Sequence, residues 1–372
     1  FDLAPNQPDG QIHATAAFDG ESVWVVYNQP DGSSNFDVYG LRLNCDGTQR
    51  TAPFQINTTD HNDIDPAVAI RGDRVYVAWQ TDTQSGANNM QLPYRTFQVD
   101  GTPVMTTDQF LRTQRNGQPV PGNTWMPAVA ALPTGFAIAG ARAVDDASGF
   151  QVFVQRINDD GTLNGATLDA SFLAPSSQTA PALAAKTDGV MHVAWDHGVA
   201  PDYEDQVRHT RIAAGADVAN PLPPPVAAGR TQSAGASLSI GPSGDAFLAF
   251  TDASNGKIVL TDIADPMGNA DAVEIGGPNV ANLAPTVVAT QSGGAVAWFQ
   301  QLSGAFGEMR VQPFDYDGSQ FTLGTVDIPT GAMSPMLYGV ALTHITQNVY
   351  FVAWAEGDSP DFRIKGIFLE LP

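Results

Sequence analysis

The feature that most constrains this sequence is a pair of short apolar runs that recurs along its whole length. The clearest copy begins at Pro66-Ala-Val-Ala69 and ends at Val75-Tyr-Val-Ala-Trp79, with a Gly and Asp turn between the two runs. Near copies begin at Pro181 and Pro285. Short β-branched runs bounded by Gly, Pro, Asn and Asp are typical of strands, and their return after about 50 residues predicts a repeated small sheet.

Seven units can be aligned, and the units supply four strands each. The third strand of several units is followed by an Asp-Gly pair, as at Asp46-Gly47 and Asp160-Gly161. This pair is a strong hairpin signal, because Gly accepts a positive φ and Asp bonds to its own backbone. Seven units of four antiparallel strands predict an all-β fold, a seven-bladed β-propeller formed by the single domain 1–372. The predicted blades span residues 13–58, 65–113, 126–174, 180–227, 235–277, 284–330 and 334–372.

The two ends of the chain are predicted to share the last blade. The seventh unit stops at Pro372 after its third strand, whereas the first residues, Phe1-Asp-Leu-Ala-Pro5, resemble the fourth-strand segment Pro53-Phe-Gln-Ile-Asn57. We therefore expect residues 1–6 to complete blade seven and to close the ring. In blade four the proline-rich segment 221–226 is predicted to be the outermost strand, because proline is tolerated at a sheet edge.

Composition excludes several functions. The chain has 39 acidic and 17 basic residues and a net charge of −22, which disfavours nucleic acids and anionic membrane surfaces as partners. The one cysteine, Cys45, permits no intrachain disulfide, and no apolar run reaches the about 20 residues of a membrane helix. The chain begins at Phe1 rather than Met, which fits a removed signal peptide or a trimmed terminus. We expect a secreted, periplasmic or extracellular protein, with no membrane insertion and no assigned oligomeric state.

The repeat resembles a known type of protein. Its pattern of Pro-x-Val-Ala, Val-Ala-Trp, Arg and Asp-Gly is similar to the repeat of secreted bacterial β-propellers, and its layout resembles that of the sialidase-like propellers. The aspartate box of the latter, Ser/Thr-x-Asp-x-Gly-x-x-Trp/Phe, is absent from Asn44–Thr48 and Asn158–Thr162. No arginine triad can be carried over either. The resemblance implies the fold along the whole chain and no activity, because a fold does not determine a function.

The first candidate ligand site is in blade three. The aromatic that ends the second strand recurs in most blades and is expected to pack between blades; tryptophan fills this position at Trp79, Trp195, Trp298 and Trp354. Trp125 lies in the predicted linker before the third inner strand, outside the repeat, and is a better candidate for stacking on a ligand. Gly140 replaces the recurring aromatic, which leaves room near Trp125 for a ligand whose anionic group faces Arg142.

The second candidate ligand site is the polar loop after the second strand of blade four. Asp196 and His197 begin this loop, and Tyr203, Glu204 and Arg208 follow within twelve residues. These side chains suit a polar binding site or acid/base chemistry on an acidic sugar, although an ordinary solvated loop has the same composition. In an enzyme, His197, Tyr203 and Arg208 would be the catalytic candidates, as general acid/base groups and as the group that neutralises a carboxylate.

The linker before blade two contains the densest cluster of oxygen ligands. Asp60, Asp63 and Asp65 are candidate ligands for Ca²⁺, which prefers carboxylate and carbonyl oxygens. The cluster lacks the distal Glu of a calcium-binding loop, and a solvated linker with Asx turns is the alternative interpretation. We predict no other cofactor.

Two functions remain open. The polar loops differ from blade to blade, and no local catalytic motif is present. We expect a binding or scaffold protein that uses one loop face for a glycan or protein partner. The alternative is a propeller enzyme, a glycoside hydrolase or polysaccharide lyase that acts on an extracellular polysaccharide.

Overall fold

The computed structural model describes sixteen segments of the chain. They are residues 1–5, 7–33, 35–82, 90–111, 114–115, 118–119, 123–143, 149–171, 176–199, 206–216, 233–263, 272–277, 281–303, 306–329, 339–357 and 361–372. Within these segments the secondary structure consists of β-strands and turns, without an α-helix. The part of the chain that can be examined therefore offers no helix able to cross a membrane.

The strands form seven antiparallel blades. Blade one contains β1 (Ile12–Phe18), β2 (Ser22–Pro30), β3 (Phe36–Asn44) and β4 (Gln49–Gln55). Blade two contains β5 (Asn62–Arg71), β6 (Arg74–Asp82), β7 (Met90–Gln91), β8 (Pro93–Gln98) and β9 (Gln109–Phe110), and the hairpin β10 (Gln114–Arg115) and β11 (Gln118–Pro119) follows it. Blade three contains β12 (Thr124–Ala131), β13 (Phe136–Ala143), β14 (Phe150–Ile157) and β15 (Leu163–Asp169).

The second half of the chain continues the pattern. Blade four contains β16 (Ser176–Ala185), β17 (Met191–Val199) and β18 (Gln206–Ile212); blade five contains β19 (Ser233–Ile240), β20 (Ala246–Asp252), β21 (Lys257–Asp262) and β22 (Val273–Ile275). Blade six contains β23 (Asn282–Ala289), β24 (Gly293–Ser303), β25 (Phe306–Tyr316) and β26 (Phe321–Leu323); blade seven contains β27 (Ala341–Thr346), β28 (Val349–Glu356) and β29 (Arg363–Glu370). The predicted seven-bladed propeller of four-stranded blades is confirmed, whereas segment 221–226 lies outside the described residues.

The blades are arranged in a ring with their first strands innermost. Each first strand contacts the first strand of the next blade, and β27 contacts β1, so the contacts run around the whole ring. Small side chains allow this close approach, as Ala67 and Ala69 do in β5. Because neighbouring strands are antiparallel, each second strand ends where the first strand of its blade begins. We call this end of the ring the loop end.

The hydrophobic core lies between the blades. Side chains of a second strand alternate between the two neighbouring blades: in β17, Trp195 packs with Ala139 of blade three, whereas Ala194 packs with Phe250 of blade five. Second strands are therefore buried on both faces. The prediction that the recurring aromatics pack between blades is confirmed, because Trp79, Trp195 and Trp298 are fully buried and Trp354 nearly so.

The N-terminal segment lies against blade seven. Asp2 forms an isolated antiparallel bridge with Lys365, and the Leu3 N–H donates to the Ile364 carbonyl oxygen at 3.0 Å. The Leu3 side chain is buried in a cluster that contains Phe351 and Ile364 together with residues of blade one. These contacts are those expected of a segment that completes the last blade, and closure of the ring by this segment stays a prediction.

Candidate functional site

A β-bulge interrupts six of the inner strands close to the loop end. In β1, β5, β12, β16, β19 and β23 the pairing with the second strand shifts register at this point. The first residue of each bulge has a positive φ between 48° and 71°, and we call this set the bulge ring: His13, Asp65, Met126, Ala180, Gly235 and Ala284. Positive φ costs energy for residues other than glycine, so the surrounding structure must hold these positions.

Polar side chains of neighbouring blades hold three of these bulges. In each case the bulge residue donates its backbone N–H to an oxygen at the end of the preceding blade's second strand. The pairs are Asp65 N with Asn28 Oδ1 at 3.1 Å, Met126 N with Gln80 Oε1 at 3.1 Å, and Gly235 N with Asp196 Oδ2 at 3.0 Å. Asp196, a predicted ligand-binding residue, therefore has one carboxylate oxygen bonded to blade five.

Trp125 lies at the interface between blades three and four. The prediction that it belongs to a linker is wrong, because β12 begins at Thr124 and Trp125 pairs with Ala141 of β13. Paired residues project from the same face of a sheet, and Ala141 shares its face with Ala139, which packs on blade four. The partly buried Trp125 ring packs edge-on against Phe150, with centroids 4.4 Å apart. An aromatic pair therefore faces blade four near the loop end.

The opposite side of this interface carries polar groups of blade four. The prediction that Asp196 and His197 begin a loop is wrong, because strand β17 continues to Val199. His197 alternates with Trp195 along β17, so both side chains face blade three. Arg208 pairs with Trp195 across the sheet and has the same orientation, and its Nη2 donates to Gln206 Oε1 at 3.0 Å. The structure thus brings Trp125, His197 and Arg208 to one interface. We call the set of Trp125, Phe150, His197, Gln206 and Arg208 the blade 3–4 site.

Burial lowers the pKa values of two ionisable groups in this site. His197 is only 3% exposed, and burial, aided by the Arg208 charge, lowers the pKa of its imidazole to about 4. Burial also lowers the pKa of Arg208. Among the described residues, none hydrogen-bonds His197 Nδ1 or Trp195 Nε1, although both atoms are buried. In blade two, by contrast, Trp79 Nε1 donates to Asp63 Oδ1 at 3.0 Å. His197 of the blade 3–4 site and the adjacent Trp195 therefore each have a buried nitrogen without a hydrogen-bond partner in the described part of the chain, which is unusual in a folded protein.

Arg142 does not join this site. It follows Ala141 in β13 and therefore projects toward blade two, where it is 1% exposed and forms an ion pair with Asp169. Its Nη2 also donates to Gln151 Oε1 at 3.2 Å. The expected space opposite Gly140 is filled, since a Cβ there would lie 2.6 Å from Leu92 Cδ1. The structure therefore separates Trp125 from Arg142, and the blade-three site is not formed as expected. Tyr203 and Glu204 lie outside the described residues.

The calcium candidates have separate roles. Asp63 is fully buried, and it accepts hydrogen bonds from Trp79 Nε1 and, at 2.6 Å, from Asn57 Nδ2. Asp65 contacts His13, and Asp60 is exposed. Where the chain is described, no three His, Cys, Asp or Glu side chains are grouped so that they could hold a metal ion. The structure thus does not bring Asp60, Asp63 and Asp65 together as a ligand set.

Replacing Asp63 by asparagine should change how stability depends on pH. Burial raises the pKa of Asp63 to about 7 from its ordinary value of 3.8. Between these two values the unfolded chain releases the proton while the folded protein keeps it, so the stability of the wild type falls as pH rises. The stability of Asp63→Asn relative to the wild type should therefore rise by about 3 kcal/mol between pH 5 and pH 8. Asn282 occupies the equivalent position of blade six and accepts from Trp298, so asparagine suits this position. Chemical denaturation at several pH values measures the change.

The exposed Asp60→Asn is the matched control for this experiment. Its stability relative to the wild type should change by less than about 0.5 kcal/mol over the same range, because surface substitutions have small effects. Equal pH dependence of Asp63→Asn and the wild type would contradict a protonated Asp63 in the folded state.

Comparison with known proteins identifies the fold and no family. No protein-family model and no curated protein matches the chain. A PL25 ulvan lyase bound to -[GlcA(1-4)Rha3S]- is similar in structure, with a TM-score of 0.64 and 11% identity, covering 100% of this chain and 96% of the lyase. The α-L-arabinofuranosidase Arb93A from Fusarium graminearum has a TM-score of 0.54 and 13% identity, over 98% and 94%. The Hadza microbial sialidase Hz136 has a TM-score of 0.54 and 12% identity, over 95% and 74%. At these identities the likeness shows that the chain shares a propeller fold with enzymes that act on carbohydrates.

Proposed function

We propose that the protein is an extracellular carbohydrate-binding propeller whose blade 3–4 site contacts the glycan. The observation that carries this proposal is that the Trp125 and Phe150 rings and the Arg208 side chain face one interface, between blades three and four. Aromatic faces pack on the apolar C–H faces of sugar rings, and polar groups beside them fix the hydroxyls. The likeness to carbohydrate-active propellers supports the same ligand class.

Arg208 favours a sugar that carries a carboxylate. A guanidinium can bind a carboxylate with two parallel N–H donors, which is a strong and geometrically specific contact. Gln206 already accepts a hydrogen bond from Arg208 Nη2 and orients the guanidinium. A uronate-containing glycan is therefore the ligand that the charge of this site fits best, in an otherwise acidic protein.

Binding accounts for the site better than catalysis by His197. A general base must come within hydrogen-bond distance of the proton that it removes, and a polymeric substrate needs an open path to that base. His197 is enclosed at 3% exposure, and its pKa of about 4 makes it a weak base. A hydrolase or lyase remains the second candidate function, favoured by the structural likeness to such enzymes.

The binding proposal is tested by titrating the protein with oligogalacturonides and, as neutral ligands, xylo-oligosaccharides. Trp125→Ala should weaken binding of both classes about 10-fold, because it removes the aromatic contact. Arg208→Gln should weaken binding of the uronate ligand at least about 10-fold and of the neutral ligand much less. Calorimetry measures affinity, and size-exclusion chromatography of the incubated glycans detects turnover.

A control variant with the same change of charge is Arg50→Gln, because Arg50 is exposed on the outer strand of blade one and pairs with Glu21. It should bind both ligands as the wild type does. Unchanged affinity in Trp125→Ala and Arg208→Gln would contradict the proposed site, and failure of the wild type to bind either ligand class would contradict the proposed function.

The net charge makes a further prediction about binding rates. A protein with a charge of −22 repels a polyuronate at long range, and salt screens this repulsion. The association rate with oligogalacturonides should therefore increase as ionic strength rises from about 0.01 M to about 0.15 M, over which the Debye length falls from about 30 Å to about 8 Å. Stopped-flow measurements give this rate, and xylo-oligosaccharides should show no such increase. A rate that falls with added salt would contradict control by the net charge.

A further inference from the structure

A second polar feature lies on the bulge ring, in blades one and two. His13 Nδ1 contacts Asp65 Oδ1, so a histidine and a carboxylate of neighbouring inner strands form a pair. Their side chains are 22% and 32% exposed, which makes the pair accessible to a ligand. The described bulge positions of the later blades four to six carry at most a methyl group, at Ala180, Gly235 and Ala284. The bulge ring therefore carries large side chains in blades one to three and small ones in blades four to six.

The backbone holds this pair in place. Both residues have positive φ, 55° at His13 and 53° at Asp65, a conformation that needs support from neighbouring groups. Asn28 provides such support: its Oδ1 accepts from the Asp65 N–H, and its Nδ2 donates to the Asp63 carbonyl oxygen at 2.9 Å. An Asp65 backbone held in this way loses little freedom when a ligand binds, which favours affinity.

An exposed apolar side chain, that of Met126, follows the pair on the bulge ring and adjoins Trp125 of the blade 3–4 site in the chain. Met126 occupies the next position of the bulge ring after Asp65, and its side chain is among the exposed large hydrophobic groups, at 40%. Trp125 directly precedes it in β12 and belongs to the blade 3–4 site. Polar, thioether and aromatic groups thus follow one another from blade one to blade three along the loop end.

We propose that His13, Asp65 and Met126 form a second saccharide subsite on the bulge ring, at the loop end of the propeller. The Asp65 carboxylate accepts hydrogen bonds from sugar hydroxyls, the His13 imidazole supplies a ring nitrogen, and Met126 packs on an apolar C–H face. The ligand class is an oligosaccharide with neighbouring free hydroxyls that is long enough to contact this subsite and the blade 3–4 site together. The inference rests on the proposed glycan-binding function and adds a second point of contact.

Two binding sites for one oligosaccharide predict that affinity depends on the length of the ligand in a characteristic way. Once an oligosaccharide spans both sites, the second contact is intramolecular and benefits from a high effective concentration. Affinity should therefore rise abruptly, by about 10- to 100-fold, at the shortest ligand that bridges the two sites. Ligands shorter than this should bind at the blade 3–4 site alone.

The experiment is a calorimetric series with oligogalacturonides of increasing length against the wild type, His13→Asn and Asp65→Asn. Asparagine tolerates positive φ better than most residues, so both variants keep the bulge while they alter the polar pair. Both variants should lose the abrupt rise in affinity and keep the wild-type affinity for the shortest ligands. Met126→Ala should reduce the rise, and Arg50→Gln should leave it unchanged. Thermal unfolding confirms that each variant is folded.

The outcomes separate this inference from the proposed function. A rise that persists in His13→Asn and Asp65→Asn would overturn the subsite, as would a wild-type affinity that does not depend on ligand length. In both cases, binding of the shortest ligands would still support the proposal that the blade 3–4 site binds glycans. Absence of all binding by the wild type would overturn the proposed function together with the subsite.

Discussion

Replacing Leu3 by alanine should lower the free energy of unfolding by about 2–5 kcal/mol, the range for large-to-small changes in a core. Leu3 is fully buried and packs where blade seven has no side chain: a Cβ at Gly366 would lie 2.8 Å from Leu3 Cδ2. Phe351 encloses the same space. Truncation would leave a cavity between the first and last blades, and chemical denaturation would measure the loss.

The matched control for Leu3→Ala is Leu163→Ala. Leu163 lies in β15 and is 39% exposed, so the same chemical change should alter stability by about 0.5 kcal/mol or less. A large loss for Leu3→Ala alone would support closure of the ring by the N-terminal segment. Equal effects of the two substitutions would argue against that closure, because the segment would then contribute little to the contact between blades one and seven.

The architecture can be predicted because the residues that recur in each repeat are those buried between the blades. The small residues of Pro66–Ala69 and the aromatic at Trp79 recur with the same spacing, and each recurrence is explained by burial between blades. Alternation along a strand fixes which blade a side chain faces, once the pairing is known. For this reason the sequence predicts the number of blades and the role of the recurring aromatics.

The candidate site was harder to predict because it depends on register. Trp125 and Arg142 are close in the same blade, yet a shift of one position along β13 sends them to opposite interfaces. The sequence does not indicate His13 as a site residue. Its copy of the repeat has Ala14 in place of proline, and a bulge with positive φ leaves no reliable sequence signal at residues other than glycine. The alignment of the repeats places His13 and Asp65 at equivalent positions, but only the structure shows that both have a positive φ and that their side chains are in contact.

A histidine pair in blade four should make the protein sensitive to acid. His192 Nδ1 and His209 Nε2 share a hydrogen bond of 3.0 Å, and their rings stack with centroids 5.1 Å apart. Burial lowers the pKa of His192 to about 4, and the charges of Lys186 and Arg211 add to this effect against the opposing charge of Asp188. Burial and His192 lower the pKa of His209 to about 3. Both imidazoles are therefore neutral in the folded protein at neutral pH.

In mild acid the unfolded chain binds protons at His192 and His209, whereas the folded protein does not. Below the unfolded histidine pKa of about 6.5, each unfolded imidazole gains a proton while the folded one does not, so stability falls with pH by about 1.4 kcal/mol per unit for each histidine until the folded pKa is reached. Two histidines should therefore contribute a loss of about 3 kcal/mol or more between pH 7 and pH 5. The double variant His192→Phe with His209→Val should lack this loss, because these residues fill the equivalent positions elsewhere, as Phe247 and Val154 do. Denaturation across this range, with the partly exposed His61→Gln as control, tests the prediction, and a double variant with wild-type acid sensitivity would refute it. The direction of the effect follows from burial, which disfavours the protonated, charged form of each imidazole. Asp188, the one carboxylate named near His192, is exposed and does not compensate for this loss of hydration.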